Sequence, residues 1–341
     1  VLNIFSQKLE EILAEKLPKK IAVAVSGGVD SVALTMLLDE FCREKKIKLF
    51  AVTVDHKMRK GSSVEALELS KILAKKKIAH EILTISSIKV PQKNIEAELR
   101  ELRYTLLHDF CEKNKIEHLF LGHHCGDIAE NFLIRLFRGS GLDGLSTMAE
   151  VGDYKKIKLV RPLLNFEKDD LKEFLLKKKI KWFEDESNDD EKFLRNKIRK
   201  FFEGFEEKNL IQKRIKNATD EISKMRDFFD DIVLDEAASV LCLGENYFLL
   251  DHEKFKQIPH RVGLKILALV LMEIGGKEYK PRLEKLQRFY EWIVATENHK
   301  KKNFYGCMAV KYDAEFLKIY AEKEDEKRGE LQLNTILKKI F

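Results

Sequence analysis

The chain has 341 residues, 44% hydrophobic and 35% charged, enough for two or three domains with real cores. No apolar run approaches the ~20 residues of a membrane span. The N-terminal VLNIFSQKLEEILAEKL carries Glu10, Glu11 and Glu15 at helical spacing, an amphipathic helix and not a secretion signal. Five scattered cysteines (Cys42, Cys111, Cys125, Cys242, Cys307) with no C-x-x-C argue against a zinc ribbon, an iron–sulfur site or a disulfide framework, and point to a reducing cytoplasm.

In chain order, the strand-like run IAVAV (21–25) passes directly into Ser26-Gly27-Gly28-Val29-Asp30-Ser31 and a helical segment over 31–44. A strand, a tight turn and a helix N-terminus present unpaired N–H groups and a positive dipole end, so an anion is the expected guest. Adjacent glycines let the backbone approach it without a Cβ in the way. The turn lacks the lysine of a Walker loop and the third glycine of a dinucleotide fingerprint. Further strands are predicted at KLFAVTVD (48–55), HEILTI (80–85) and HLFLGH (118–123), separated by helices over 63–76, 94–113 and 127–137. This alternation predicts an α/β fold with a doubly wound, mostly parallel sheet and sites at the strand C-termini. KLVRPLL (158–164) reads as one more strand or its exit loop, and 165–180 as a helix with Asn165 as N-cap.

The first 200 residues hold 38 Lys/Arg against 32 Asp/Glu and the remainder 25 of each, so the whole excess of +6 lies in the first part. EKFLRNKIRK (191–200), with five basic residues against one acidic, is a basic patch of the kind that meets nucleic acid, although a solvated helix face is the plain alternative. The expected organisation is a catalytic domain over 1–204, a helical connector over 205–237, a small α/β C-terminal domain over 238–325 and a tail over 326–341. The C-terminal domain contains YFLLD, a helix over 262–274, another near 281–296 and a hairpin within 302–322.

A second constellation is HLFLGHHCGDIAENFLIRLFRGSGLDGLSTM (118–148). On a helix, Asp127, Asn131 and Arg138 lie within about 40° of one another, with Glu130 alongside. Ala129, Phe132, Leu133, Leu136 and Phe137 form the opposing apolar face, so this helix is expected to rest on the sheet with its carboxylates outward. Capping is the plain role for Asp127. His123 and His124 are adjacent and lack the i,i+4 spacing of a zinc pair.

The hexapeptide resembles the PP-loop, S-G-G-x-D-S, of the ATP pyrophosphatase superfamily. The second stretch is similar to the H-H-x-D-D-x-x-E-T…R-G-S-G…G-L run of tRNA(Ile)-lysidine synthetases. VDHKMR (54–59), NIEAELRELRY (94–104), RPLL (161–164) and EDESNDDEKFLRNKIR (184–199) follow in the same order. The resemblance is strong over about 20–200 and weaker over 258–271 and 306–322. Gly126 stands where the family has its first Asp and Asn131 where it often has Thr; the second Asp, Asp127, and Glu130 are present. The resemblance implies a cytoplasmic bacterial ligase. Using ATP, it adenylates O2 of the wobble cytidine of a CAU-anticodon isoleucine tRNA. The amine of free L-lysine then attacks C2, releasing AMP, and lysidine replaces cytidine.

On that resemblance, Ser26, Gly27, Gly28, Val29, Asp30 and Ser31 bind ATP, with Asp30 holding Mg²⁺. Asp55 approaches the ribose or adenine. Asp127 and Glu130 bind and deprotonate the amine of lysine, whose ordinary pKa is ~10.4, and Arg100 faces the charge that builds at the α-phosphate. For Arg100 an ion pair with Glu96 is the plain alternative. Arg195, Asn196 and Arg199 contact the tRNA. No membrane partner is implied, and a homodimer is left open. The alternatives are another PP-loop tRNA-modifying enzyme, such as a 2-thiolation enzyme, and a nucleotide-sensing RNA-binding module without turnover.

Overall fold

The computed structural model describes residues 1–14, 17–55, 61–84, 95–146, 148–183, 194–277, 279–295 and 301–322, with side chains from 98 onward in the segment that starts at 95. His56, the Glu96 side chain, residues 184–193 and the tail over 326–341 lie outside the described residues. The chain forms two compact units, Val1–Ser223 and Lys224–Phe341.

The first unit runs α1 (Leu2–Ile12), β1 (Lys20–Ala24), α2 (Val29–Lys45), β2 (Lys48–Asp55), α3 (Ser62–Lys75), β3 (Ala79–Thr84), α4 (Ile95–Asn114), β4 (His118–Phe120) and α5 (Cys125–Phe137). It continues through α6 (Leu142–Leu145), β5 (Val151–Tyr154), β6 (Ile157–Val160), α7 (Lys168–Lys177), α8 (Leu194–Glu203) and the first half of α9 (Lys208–Val240). Six strands lie in the order β3-β2-β1-β4-β6-β5, parallel except for the antiparallel pair β5–β6. Alternation along β1 sends Ile21 and Val23 to one face, among residues of α1, α2, α3 and α7. It sends Ala22 to the other face, among Tyr104, Leu107, Phe110 and Cys111 of α4. Both faces are covered, which is why β1 is apolar from Ile21 onward and α2 is buried nearly all round from Val29 to Leu38. Each fully buried large side chain, such as Phe41 or Phe120, contributes about 1.5–3 kcal/mol of burial.

Strand order reverses between β1 and β4, so the chains leaving these two strands open a crevice at the carboxyl edge of the sheet. The 158–164 run is β6 and its exit. Its partner β5 was not foreseen, because their turn is made by Lys155 at φ 53° with no glycine to mark it. The helix expected from 165 starts at Lys168, with Glu167 and not Asn165 at the N-cap. A turn closed by Phe166 N–H donating to the Leu163 carbonyl at 2.9 Å comes first and buries Phe166.

The second unit takes the last half of α9 and adds β7 (Leu241–Leu243), β8 (Tyr247–Asp251), α10 (His252–Gln257), α11 (His260–Gly275), α12 (Leu283–Val294), β9 (Lys302–Phe304), β10 (Cys307–Lys311) and β11 (Phe316–Ala321). Its five strands form a separate antiparallel sheet in the order β7-β8-β11-β10-β9. Phe248, Leu250, Leu317 and Ile319 of that sheet share one core with α11 and α12.

Candidate active site at the sheet switch point

The turn after β1 is held open by its own residues. Ser31 Oγ donates to the Gly28 carbonyl at 3.0 Å, accepts from the Ser26 backbone N–H at 3.1 Å and lies 3.1 Å from Ser26 Oγ. Gly27 has φ +92°, where a side chain is strained, and a Cβ there would come within 3.0 Å of the Phe183 ring. Gly28, the N-cap of α2, has an ordinary φ of −69°. Its lack of a side chain leaves the helix N-terminus open to an incoming phosphate. Behind the turn, Gly122 lets the β4 exit lie against the first turn of α2, since a Cβ there would stand 3.1 Å from the Asp30 and Ser31 backbone. Thr53 Oγ1 donates to the Val25 carbonyl at 2.8 Å, taking an acceptor freed as the chain leaves the sheet. His80 Nε2 backs that hydroxyl at 2.8 Å, and Ser70 Oγ meets His80 Nδ1 at 2.6 Å.

Asp30 projects from the first turn of α2. Its Oδ1 is buried with no hydrogen-bond partner, and burial pushes the carboxyl pKa up against the pull of His124 and Lys168. A buried carboxylate oxygen without a partner is costly, and a hard divalent cation is the ligand that resolves it. The donor therefore fits Mg²⁺. Among the described residues there is no group of three or more His, Cys, Asp or Glu able to hold a metal ion by itself. That suits Mg²⁺, which takes one or two carboxylates together with substrate phosphates.

The carboxylates of α5 do not point outward. Asp127 and Glu130 are 8% and 6% exposed, whereas Leu136 and Phe137 are 45% and 65% exposed. The reason is α8: Ala129, Leu133 and Ile134 pack against Ile198, Phe202, Ile211 and Ile215, so α5 rests on α8 and α9. Arg195 on α8 bridges the pair, with Nη2 2.5 Å from Asp127 Oδ1 and Nε 2.7 Å from Glu130 Oε2. Arg199 Nε takes Glu130 Oε1 at 2.8 Å, and Asn196 is buried between them in sequence. Burial alone would raise the Asp127 pKa, but His124, Arg195, His123 and the His124 backbone N–H together hold it at about 2. His124 caps the helix: its Nδ1 accepts from Gly126 N–H at 3.0 Å, while its own N–H donates to Asp127 Oδ2 at 3.0 Å. His124 Nε2 stands 3.9 Å from Asp30 Oδ2 and 3.6 Å from Asp127 Oδ2, so the cap joins the two acidic centres.

Asp55 ends β2, with Oδ1 accepting from Ser62 Oγ at 2.8 Å and Oδ2 from Ser63 Oγ at 2.6 Å. Its oxygens tie the start of α3 to the sheet. Arg100 donates to Tyr104 Oη at 3.3 Å and lies 5.0 Å from that ring.

Comparisons with known proteins agree with this architecture. The PP-loop domain family matches residues 1–203. The tRNA(Ile)-lysidine synthase of Orientia tsutsugamushi (strain Boryong) is 32% identical over 327 residues, covering 93% of this chain and 73% of that protein. That of Wolbachia pipientis wMel is 33% identical, covering 92% and 73%. The chain belongs to the tRNA(Ile)-lysidine synthase family. Among solved structures, the U34-tRNA thiolase NcsA from Methanococcus maripaludis, with its 4Fe–4S cluster, covers 65% of this chain and 80% of its own at TM-score 0.54 and 18% identity, a likeness of fold.

Within the lysidine synthase family, the glycine at 126 has a local cause in this chain. A Cβ there would stand 2.7 Å from His124 Cε1, so any side chain would displace the capping ring. Sequence reasoning weighed His124 only as half of a poor zinc pair and missed its capping role, and it passed over Gly122 and Phe183, whose roles are contacts across the fold. It also passed over Arg103 and Arg161, which gather with Arg100 around Tyr104. The signal for these two was in the quoted ELRY and RPLL runs.

Proposed function

We propose that the protein ligates free lysine to C2 of the wobble cytidine of a CAU-anticodon isoleucine tRNA, using ATP and releasing AMP and diphosphate. The observation that carries this reading is the pairing of a PP-loop with the Asp127–Glu130 carboxylates at one switch point, in a chain of this family. The turn at Ser26–Ser31 receives the phosphates through backbone N–H groups and two hydroxyls. Asp30 would hold Mg²⁺, which when bound offsets charge on the phosphates. The cytosine O2 attacks the α-phosphorus and diphosphate leaves; Arg100 of α4 would offset the charge that builds there. The lysine amine then attacks C2, and the C2–O2 bond breaks with O2 departing on AMP.

Asp127 and Glu130 would bind the ammonium by charge, and this pair of carboxylates would receive the proton as the C–N bond forms. To admit the amine, the Arg195 and Arg199 contacts must open, and the phosphates of the tRNA are the anions available to draw those guanidiniums away. A 2-thiolation reading is less well supported. Cys125, at the start of α5, is buried with its thiol pushed up to about 11, and so is little ionised as a sulfur carrier. No helix among the described residues is long and apolar enough to cross a membrane.

The test is nucleoside mass spectrometry of a CAU-anticodon isoleucine transcript after incubation with ATP, Mg²⁺ and lysine. Lysidine at the wobble position is expected, and a sulfur-containing or unchanged cytidine overturns the reading. With Asp127→Asn or Glu130→Gln, label from α-³²P-ATP should remain on the RNA while lysidine formation slows. Equal loss of both steps reassigns the carboxylates to ATP or Mg²⁺.

A further inference from the structure

Around Tyr104, on α4 and at the exit of β6, three guanidiniums gather without a carboxylate among the described residues. Arg100 and Arg103 lie 5.0 and 5.5 Å from the Tyr104 ring, Arg100 Nη2 donates to the Tyr104 hydroxyl at 3.3 Å, and the same hydroxyl supports the charges of Arg103 and Arg161. Arg161 is 9% exposed; its Nη1 donates to the Ala149 carbonyl at 2.8 Å, and its Nε is buried with no hydrogen-bond partner. His123 Nδ1 is likewise buried and unpartnered. Among the described residues, no carboxylate pairs with Arg100, Arg103 or Arg161. Burial and mutual repulsion accordingly lower the pKa of Arg103 and Arg161.

Topology brings these groups together. His123 follows β4 and Arg161 follows β6, neighbouring parallel strands that end at the same edge, while Arg103 comes from the helix covering that face. Arg103 feels the charge of Arg195, and His123 that of Asp127, so the cluster borders the carboxylate pair. An anion-seeking group thus stands beside a cation-seeking one, both desolvated and with orphaned donors on the anion-seeking side. Lysine itself carries an ammonium at one end and a carboxylate at the other. A buried guanidinium matches a carboxylate with paired, charge-assisted hydrogen bonds.

We propose that Arg161 and Arg103, with His123 Nδ1, form the subsite for the α-carboxylate of the amino-acid substrate, the ammonium lying on the Asp127–Glu130 side. This rests on the lysine-ligating reading above. An RNA phosphate or an ATP phosphate would satisfy the same donors, so the test separates the three.

The experiment compares kcat/KM for lysine with that for lysinamide, which keeps both amines and loses the carboxylate charge. The wild-type protein should prefer lysine by at least ~10²-fold. In Arg161→Met and Arg103→Met that ratio should fall to within about tenfold of unity, with the KM for ATP and the salt slope of tRNA binding unchanged. The ratio is taken within one preparation, so a smaller folded fraction cancels. Arg103→Lys, which keeps the charge but not the fork, should lie between. An unchanged ratio in variants that still turn over overturns the subsite. So does a salt slope lower by about one, which assigns the cluster to an RNA phosphate, or a rise in the KM for ATP alone. A wild-type protein that makes lysidine without preferring lysine over lysinamide removes the subsite and leaves the lysine-ligating reading standing. Failure to make lysidine at all removes both.

Discussion

Neutralising Asp127 should cost folding free energy, and the Asp127→Asn/Arg195→Met double variant should cost less than its two single changes added together. The native Asp127 pKa is about 2 against an ordinary 3.8, and each unit is worth 1.36 kcal/mol, so the charged form contributes about 2 kcal/mol. The sign follows from a lowered carboxylate pKa: the contribution is complete above about pH 4 and is lost as pH falls through about 2. Asp127→Asn should therefore cost about 2 kcal/mol at pH 7. Arg195→Met should cost more, roughly 3–5 kcal/mol, because it strands two nearly buried carboxylates with Arg199 alone. The double variant should cost less than the sum by roughly 1–3 kcal/mol. Urea unfolding can read the first unit by itself, since Trp182 packs against its core and Trp292 against the core of the second, so Trp292→Phe leaves one reporter. At an m-value of about 2–3 kcal/mol/M, Asp127→Asn should move the midpoint by nearly 1 M. Additivity within about 0.5 kcal/mol, or a neutral Asp127→Asn, would mean that the bridge between α5 and α8 does not exist in solution.

Gly27→Ala should cost at least about 1 kcal/mol and raise the KM for ATP, because φ +92° and the Phe183 ring both oppose a side chain; Gly28→Ala should unfold like wild type, since its nearest neighbour is Ser26 Oγ at 3.7 Å. Equal urea midpoints for the two would refute the assignment of strain to Gly27. His80, its pKa lowered by burial to about 4, should titrate there by NMR in its Nε2–H form. Because protonation is disfavoured in the folded state, its stability contribution is full above about 6.5 and lost as pH falls towards 4; a midpoint near 6.5 would break the Thr53–His80–Ser70 chain. Ser62→Ala with Ser63→Ala should destabilise the first unit by roughly 1–3 kcal/mol, leaving Asp55 buried with fewer donors, and unaltered urea unfolding would free Asp55 for another role.

What could be read from the sequence was local. The hexapeptide after β1 carries its resemblance to a PP-loop in consecutive residues, so the turn at Ser26–Ser31 and Asp30 in the first turn of α2 were legible together as a candidate phosphate site. The alternation of strands and helices likewise gave the parallel sheet, because a crossover of helical length is all a parallel pair requires. The antiparallel β5 was illegible because its turn uses lysines where glycine or asparagine would have marked a hairpin.

The burial of α5 was illegible for a different reason. Periodicity shows that a helix has an apolar stripe and a polar one, but not which neighbour covers each. Here the stripe of Ala129, Leu133 and Ile134 was covered by α8 and α9, contributed about 65–80 residues later, and the polar stripe by two arginines of α8. Once α8 lies across α5, the same contact buries Asp127 and sets Arg195 across both carboxylates, which helps to depress the Asp127 pKa. The residues whose partners are close in sequence showed their chemistry early. Those paired across the fold showed only part of theirs: Arg195 is expected from the sequence to contact tRNA, and its bridge to Asp127 and Glu130 emerges only from the packing. A basic run such as LRNKIR is therefore ambiguous in principle. Its guanidiniums can answer RNA phosphates or the protein's own carboxylates, and in this fold they answer Asp127 and Glu130.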